Sequence, residues 1–176
     1  RIMKNLKLMI VLYTLGGSVY AQKANSTLYT ISGKVTQTSS YCGGAAPTQE
    51  MMENYNTPSK YTGKVFYIRK GRTNTTKQPI VLKFISDSSG NFSFKLPPGD
   101  YIIIQKEQVK PLNFKNIRLG FQISLDKPCL KEWWKKPFSI LEVQEKDIQN
   151  LNFNFHHSCF LPGDLPCRNY TGPLPP

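Results

Sequence analysis

The chain reads as an all-β protein, an antiparallel Greek-key sandwich of seven to eight short strands with a long loop insertion and an irregular C-terminal tail. Three observations predict this. Apolar residues alternate with polar ones in short runs, which is the period of a half-buried strand. Gly, Pro, Asn and Asp clusters punctuate those runs at the spacing of a sandwich. One stretch, Asp87–Tyr101 (D-S-S-G-N-F-S-F-K-L-P-P-G-D-Y), spells out turn, strand, tight turn and the start of the next strand.

Leu28–Thr36 gives the first strand, with Tyr29, Ile31, Gly33 and Val35 on one phase. Gly33 inside it marks a bulge or a close backbone approach. Gln37–Lys60 is the long insertion, where Gln49–Tyr55 suits two helical turns that Pro58 ends. Thr62–Lys70 carries apolar residues on both phases, as a central strand does. Pro79–Ser86 follows, with its proline at the tolerated first position.

In the organising stretch Asp87 can bond its own backbone and Gly90 is free to take positive φ. Phe92, Phe94 and Leu96 share one face, Ser93 and Lys95 the other. Pro97-Pro98-Gly99 then stops the strand, and Asp100 to about Glu107 supplies the next. Asn116–Leu125 reads as a short strand with Ile117, Leu119, Phe121, Ile123 and Leu125 in phase. Leu130–Lys136 is a helical turn closed by Pro137. Phe138–Val143 and Leu151–Phe155 are the remaining strands, with Leu151, Phe153 and Phe155 inward. From Leu161 onward there are five prolines among sixteen residues, so the tail is extended.

Residues 1–21 have the pattern of a signal peptide. Lys4 and Lys7 precede the apolar run Leu8–Leu15, and Val19-Tyr20-Ala21 offers small residues where a signal peptidase reads. The run falls well below the roughly 20 residues that span a bilayer, so no transmembrane anchor is expected. Cleavage there leaves one domain at 22–157 and a Pro-rich, cysteine-bearing tail at 158–176. The expected location is outside the cytosol, periplasmic or secreted to the cell surface. The remaining residues carry 20 basic and 11 acidic side chains, scattered with no basic run longer than two. Scatter of this kind is a solvated surface rather than a nucleic-acid site, and export removes nucleic acid as a partner.

Ile31-Ser32-Gly33-Lys34-Val35 followed by D-S-S-G-N-F-S-F-K-L-P-P-G-D-Y resembles the carboxypeptidase regulatory-like domains, which are β-sandwiches of the transthyretin or prealbumin type. The resemblance covers about residues 28 to 107. It implies an accessory module of exported bacterial proteins with no catalytic residues and no cofactor. The long insertion and the cysteine-bearing tail depart from that pattern.

Four cysteines in an exported chain imply two disulfides with three possible connectivities. Cys159 and Cys167 lie eight residues apart and can close locally, which leaves Cys42 for Cys129. A rival use is a zinc site built from His156, His157, Cys159 and Cys167. Against it, adjacent histidines at a strand end point to opposite faces. Trp133 and Trp134, flanked by Lys131, Lys135 and Lys136, offer a surface for a sugar or a membrane. The plainer alternative is that one indole lies in the core while the other covers an edge. Related sandwich domains form Lys–Asn crosslinks, and Lys34 with Asn152 or Asn154 fits that placement loosely. Neither histidine sits in a nucleophile motif, so no enzyme is expected. The expected partners are an envelope protein, a peptide or a glycan, met at Trp133-Trp134 or at the insertion.

Overall fold

The computed structural model describes residues 27–117 and 119–173. The signal-peptide pattern lies outside them. The first strand, β1 (Tyr29–Ser39), is the spine of one sheet. Its first half pairs antiparallel with β5 (Asn91–Leu96), from Tyr29↔Leu96 to Lys34↔Asn91. Its second half is flanked by the two-residue β2 (Ser59–Lys60) and by β9 (Phe153–His157). β9 runs parallel to β1, from Val35↔Phe153 to Ser39↔His157, and so departs from the all-antiparallel expectation. A parallel pair needs a long crossover, and residues 40–152 lie between these two strands.

The second sheet is antiparallel in the order β4 (Ile80–Ile85), β3 (Val65–Lys70), β6 (Gly99–Gln105), β8 (Ser139–Val143). A separate ribbon pairs β7 (Ile123–Leu125) with β10 (Arg168–Tyr170). The described residues thus form ten strands, the two without an expected counterpart being the short β2 and β10. Of the strand expected at 116–125 only Ile123–Leu125 forms, and Phe121 is 88% exposed.

The alternation read in β5 is borne out, with Phe92, Phe94 and Leu96 buried and the residues between them exposed. The preceding turn closes as its residues dictate. Asp87 Oδ1 accepts from the N–H of Ser89 (2.8 Å) and of Asn91 (2.9 Å), and Gly90 sits at φ +80°. Phenylalanines from both sheets fill the space between them. Phe66 lies 5.0 Å from Phe84, 5.4 Å from Phe153 and 5.5 Å from Phe138, centroid to centroid. At these separations tilted and offset rings add to the burial of their area.

β6 is buried on both faces. Tyr101 and Ile103 join the main core, whereas Ile102 and Ile104, fully buried, lie outside it. On their side of the sheet the 72–78 loop, the turn at 105–109 and residues 133–136 are tied together by Arg69, Asn74 and Gln108. Arg69, directly opposite Ile102, sends its guanidinium to the carbonyls of Thr75, Gln78 and Val109. Burial lowers the pKa of this arginine, and the three carbonyls take the place of a carboxylate.

Two helices decorate the sandwich. In α1 (Gln49–Asn56) the Thr48 side chain caps the N-terminus by accepting from Met51 N–H, and no residue is buried. In α2 (Lys127–Lys135) Asp126 caps by accepting from Cys129 N–H, Pro128 occupies the first turn and Leu130 is fully buried.

Candidate binding surface and the C-terminal latch

α2 carries both tryptophans, each half-buried. Two buried side chains hold its C-terminal end, where helix carbonyls lack intrahelical partners. Gln108 donates through Nε2 to the carbonyls of Trp133 (2.9 Å) and Lys136 (2.6 Å), while its Oε1 accepts from Gln105 N–H (3.0 Å). Asn74 donates to the carbonyls of Trp134 (2.7 Å) and Gln108 (2.9 Å). The Gln108 carbonyl would otherwise be a buried, unsatisfied acceptor, and the other three are partly shielded from water.

Between the helix and the 111–114 segment lies an open groove of about 300 Å³. Trp134 faces Pro111, Leu112 and Phe114 across it, and Lys131, Glu132 and Lys135 stand on the rim. Trp134 Nε1 donates to Lys110 carbonyl at 2.7 Å, so the indole is fixed and its only N–H donor is used. Lys135 pairs with Glu132 at 2.7 Å. A second cavity of about 350 Å³ adjoins, sharing Pro111 and Leu112 and reaching Tyr67 and Ile117. Neither indole belongs to the main core cluster.

The structure redraws the cysteine pairing. Cys42 bonds Cys159, and Cys129 bonds Cys167, in place of Cys159–Cys167 and Cys42–Cys129. Strand register is the reason. Ser39 lies opposite His157 on two parallel strands, so Cys42 and Cys159 leave the sheet together. Leu125 lies opposite Arg168, which brings Cys129 just after β7 to Cys167 just before β10.

Both sulfurs of the rival zinc set are therefore oxidised, to different partners, and neither can act as a thiolate ligand. Its histidines also diverge. His156 is exposed and bonds the hydroxyls of Thr38 (3.1 Å) and Ser40 (2.8 Å), whereas His157 is turned inward with Nε2 3.7 Å from Asp164 Oδ1. Among the described residues no cluster of three or more His, Cys, Asp or Glu could hold a metal. The crosslink candidates are otherwise engaged: Asn152 Oδ1 accepts from the backbone N–H of Lys34 at 3.1 Å, and Asn154 Oδ1 from Thr36 Oγ1 at 3.0 Å.

One cluster has no counterpart in the sequence reading. Asp164, in the tail, accepts from Tyr61 Oη (2.6 Å) and pairs with Lys64 Nζ, with both side chains of the ion pair nearly buried. Lys64 Nζ also lies 4.5 Å from the Phe155 ring centroid, a cation–π contact. Burial first, then the hydrogen bond and charge of Asp164 with a push from Glu107, raise the Tyr61 phenol far above its ordinary range. Arg168 donates to the carbonyls of Leu165 (2.6 Å), Gly163 (2.9 Å) and Pro162, and burial lowers its pKa. Together these contacts latch the tail onto the end of the sandwich. The signal available in sequence was a lone acid in a Pro/Gly run, with partners about a hundred residues away.

No family model matches the chain, and no curated protein matches it. Solved structures similar to it include the TIE protein of Bacillus anthracis, at 14% identity and TM-score 0.35 over 74% of this chain and 17% of that one. BcpA, the major pilin subunit of Bacillus cereus, is similar at 14% identity and TM-score 0.34 over 73% of this chain and 29% of that one. The N-terminal domain of the shaft pilin spaA from Lactobacillus rhamnosus GG is similar at 12% identity and TM-score 0.36, over 73% of this chain and 92% of that domain. The chain thus spans less than a third of the first two proteins.

Proposed function

We propose that the chain is a non-catalytic binding module of the cell envelope, exported, stapled by two disulfides, and engaging its partner through the Trp134 groove. The observation that carries this reading is the groove itself. Buried Gln108 and Asn74 spend their side chains fixing a helix whose outer surface presents a pinned indole in an apolar concavity. Concave, largely apolar and preformed surfaces with a few polar rim groups are where ligands bind. Disulfides persist in oxidising compartments, which supports the exported location. The ionisable groups brought together at Asp164 hold the tail to the sandwich, a structural duty that supports a non-catalytic role. Kinship with the carboxypeptidase regulatory-like domains is part of the proposal. Its support is that the motif at 87–101 forms the turn, β5 and the start of β6 that join the two sheets.

The test is a peptide and glycan array probed with the native chain and with Trp134→Ala. Binding lost in a variant that melts like the native protein supports the role. Binding that survives the substitution, or that depends instead on the exposed α1 insertion, overturns it.

A further inference from the structure

The side chains around Trp134 discriminate among ligand chemistries. The concavity of about 300 Å³ is too small for a folded element and has room for a sugar ring. Its walls, the indole with Phe114, Pro111 and Leu112, are flat and apolar, which suits the C–H face of a pyranose. Because Nε1–H is committed to Lys110, the indole offers its face and no further donor.

Charge narrows the choice. Residues 106–136 hold eight basic and three acidic side chains, a net +5 in 31 residues against +12 for all 176. This segment is thus about twice as cationic per residue as the chain as a whole. Lys131 and Lys135 stand one helical turn apart on the rim. Lys135 is paired with Glu132, whereas Lys131 is exposed and makes no ion pair among the described residues. Glu132 matters in the other direction. A rim carboxylate repels a dense phosphate surface such as an anionic bilayer but accepts hydrogen bonds from sugar hydroxyls. The half-buried indole also sits within a concavity, where a flat bilayer does not reach.

Building on the binding role proposed above, we infer that the Trp134 groove takes an anionic saccharide. One ring stacks on the indole, its acidic group pairs with Lys131, and its hydroxyls donate to Glu132. Trp133 and Trp134 are the two tryptophans of the chain, so intrinsic fluorescence reads the site directly. The experiment titrates the full chain with a galacturonic acid oligosaccharide, the same oligosaccharide methyl-esterified, an oligoglutamate peptide, and vesicles containing anionic lipid.

The expected result is a saturable fluorescence change with the acid form, weakened about tenfold by esterification or by Lys131→Glu. Trp133→Phe should retain it, whereas Trp134→Ala, which removes the reporting indole, should abolish binding measured by titration calorimetry. Lys131 is exposed, so its variant leaves the fold intact and keeps the test independent of the stability of Trp134→Ala. Equal binding of acid and ester, or no binding of either, overturns the inference. Binding of the oligoglutamate or the vesicles in place of the saccharide also overturns it. If one of those alternatives binds and Trp134→Ala removes it, the groove keeps its binding role while the saccharide assignment falls.

Discussion

At Gly33 the fold leaves no room for one more carbon. A Cβ there would lie 2.0 Å from the Leu151 carbonyl oxygen, 2.6 Å from its carbon and 2.9 Å from Phe92 Cζ. The first two are backbone atoms, which cannot rotate away, so β1 and the 148–151 segment would have to separate. Gly33→Ala should therefore cost about 3 kcal/mol, read as a lower urea midpoint at unchanged slope. A variant as stable as the native chain would show that the two backbones are not in close approach. This position was legible, because a glycine inside an alternating strand has few reasons to be there besides a bulge or a close neighbour. Tyr61 was not legible, since Asp164 lies 103 residues away in a polar loop. Its raised phenol pKa has a definite consequence. Unfolding returns the phenol to its ordinary value of about 10, so the folded state holds a proton that the unfolded chain gives up. The contribution is intact below that pH and is lost as pH rises from there through the folded value. Melting temperature should fall above about pH 10, and Tyr61→Phe should flatten the fall. Tyr101, also raised by burial, leaves a residual slope. An alkaline limb identical in Tyr61→Phe would refute the assignment.

Among the elements, the roof over the second sheet shows why patterning recovers strands better than the surfaces that cover them. Tyr101-Ile102-Ile103-Ile104 announces a core strand, and β6 is one, buried on both faces. Nothing in that run says what covers the outer face. The cover comes from the 106–137 segment, whose regular elements among the described residues are α2, the three-residue β7 and two short 3-10 turns, and it is held by polar side chains rather than by an apolar stripe. Gln108 is the clearest case. A glutamine between Glu107 and Val109 reads as a surface residue, yet it is fully buried and satisfies two carbonyls and one N–H at once. Gln108→Leu keeps the bulk and strands all three partners, so it should cost about 2–4 kcal/mol. It should also loosen α2, which adds a specific readout: tryptophan emission shifting to the red before global unfolding, together with a weaker groove. A Gln108→Leu protein with native emission and native stability would mean that the helix is held by other contacts. The helix itself was easier to anticipate at its end, where Pro137 is a local signal, than at its start, which lies at Lys127 behind the Asp126 cap rather than at Leu130.

Across the whole molecule, the disulfides follow from topology. Sequence distance favoured closing Cys159 on Cys167, the shortest loop available. The parallel β1–β9 pair is invisible to such an argument, because it joins residues 118 apart and sets them side by side at Ser39 and His157. Once that register exists, Cys42 and Cys159 must meet, and Cys167 is left to reach Cys129 across the β7–β10 ribbon. The bridges close loops of 117 and 38 residues and fasten both ends of the 159–167 segment. In the chain-entropy account longer loops constrain the unfolded state more, so replacing Cys42 and Cys159 together by serine should cost about 2–5 kcal/mol. The connectivity has a sharper test. The chain has no lysine or arginine between Lys146 and Arg168, so trypsin leaves Cys159 and Cys167 on one fragment. With the pairing seen here, a non-reduced digest should contain that fragment tied to two others, one bearing Cys42 and one bearing Cys129. Local closure would instead release it alone with an internal bridge, beside a separate Cys42–Cys129 species. A second cleavage before Asp164 parts Cys159 from Cys167 and distinguishes the remaining connectivity. After that cut the Cys159 half should carry the Cys42 fragment and the Cys167 half the Cys129 fragment. The opposite assortment would mean that β9 does not lie beside β1 in the register described, and the first sheet would have to be redrawn with it.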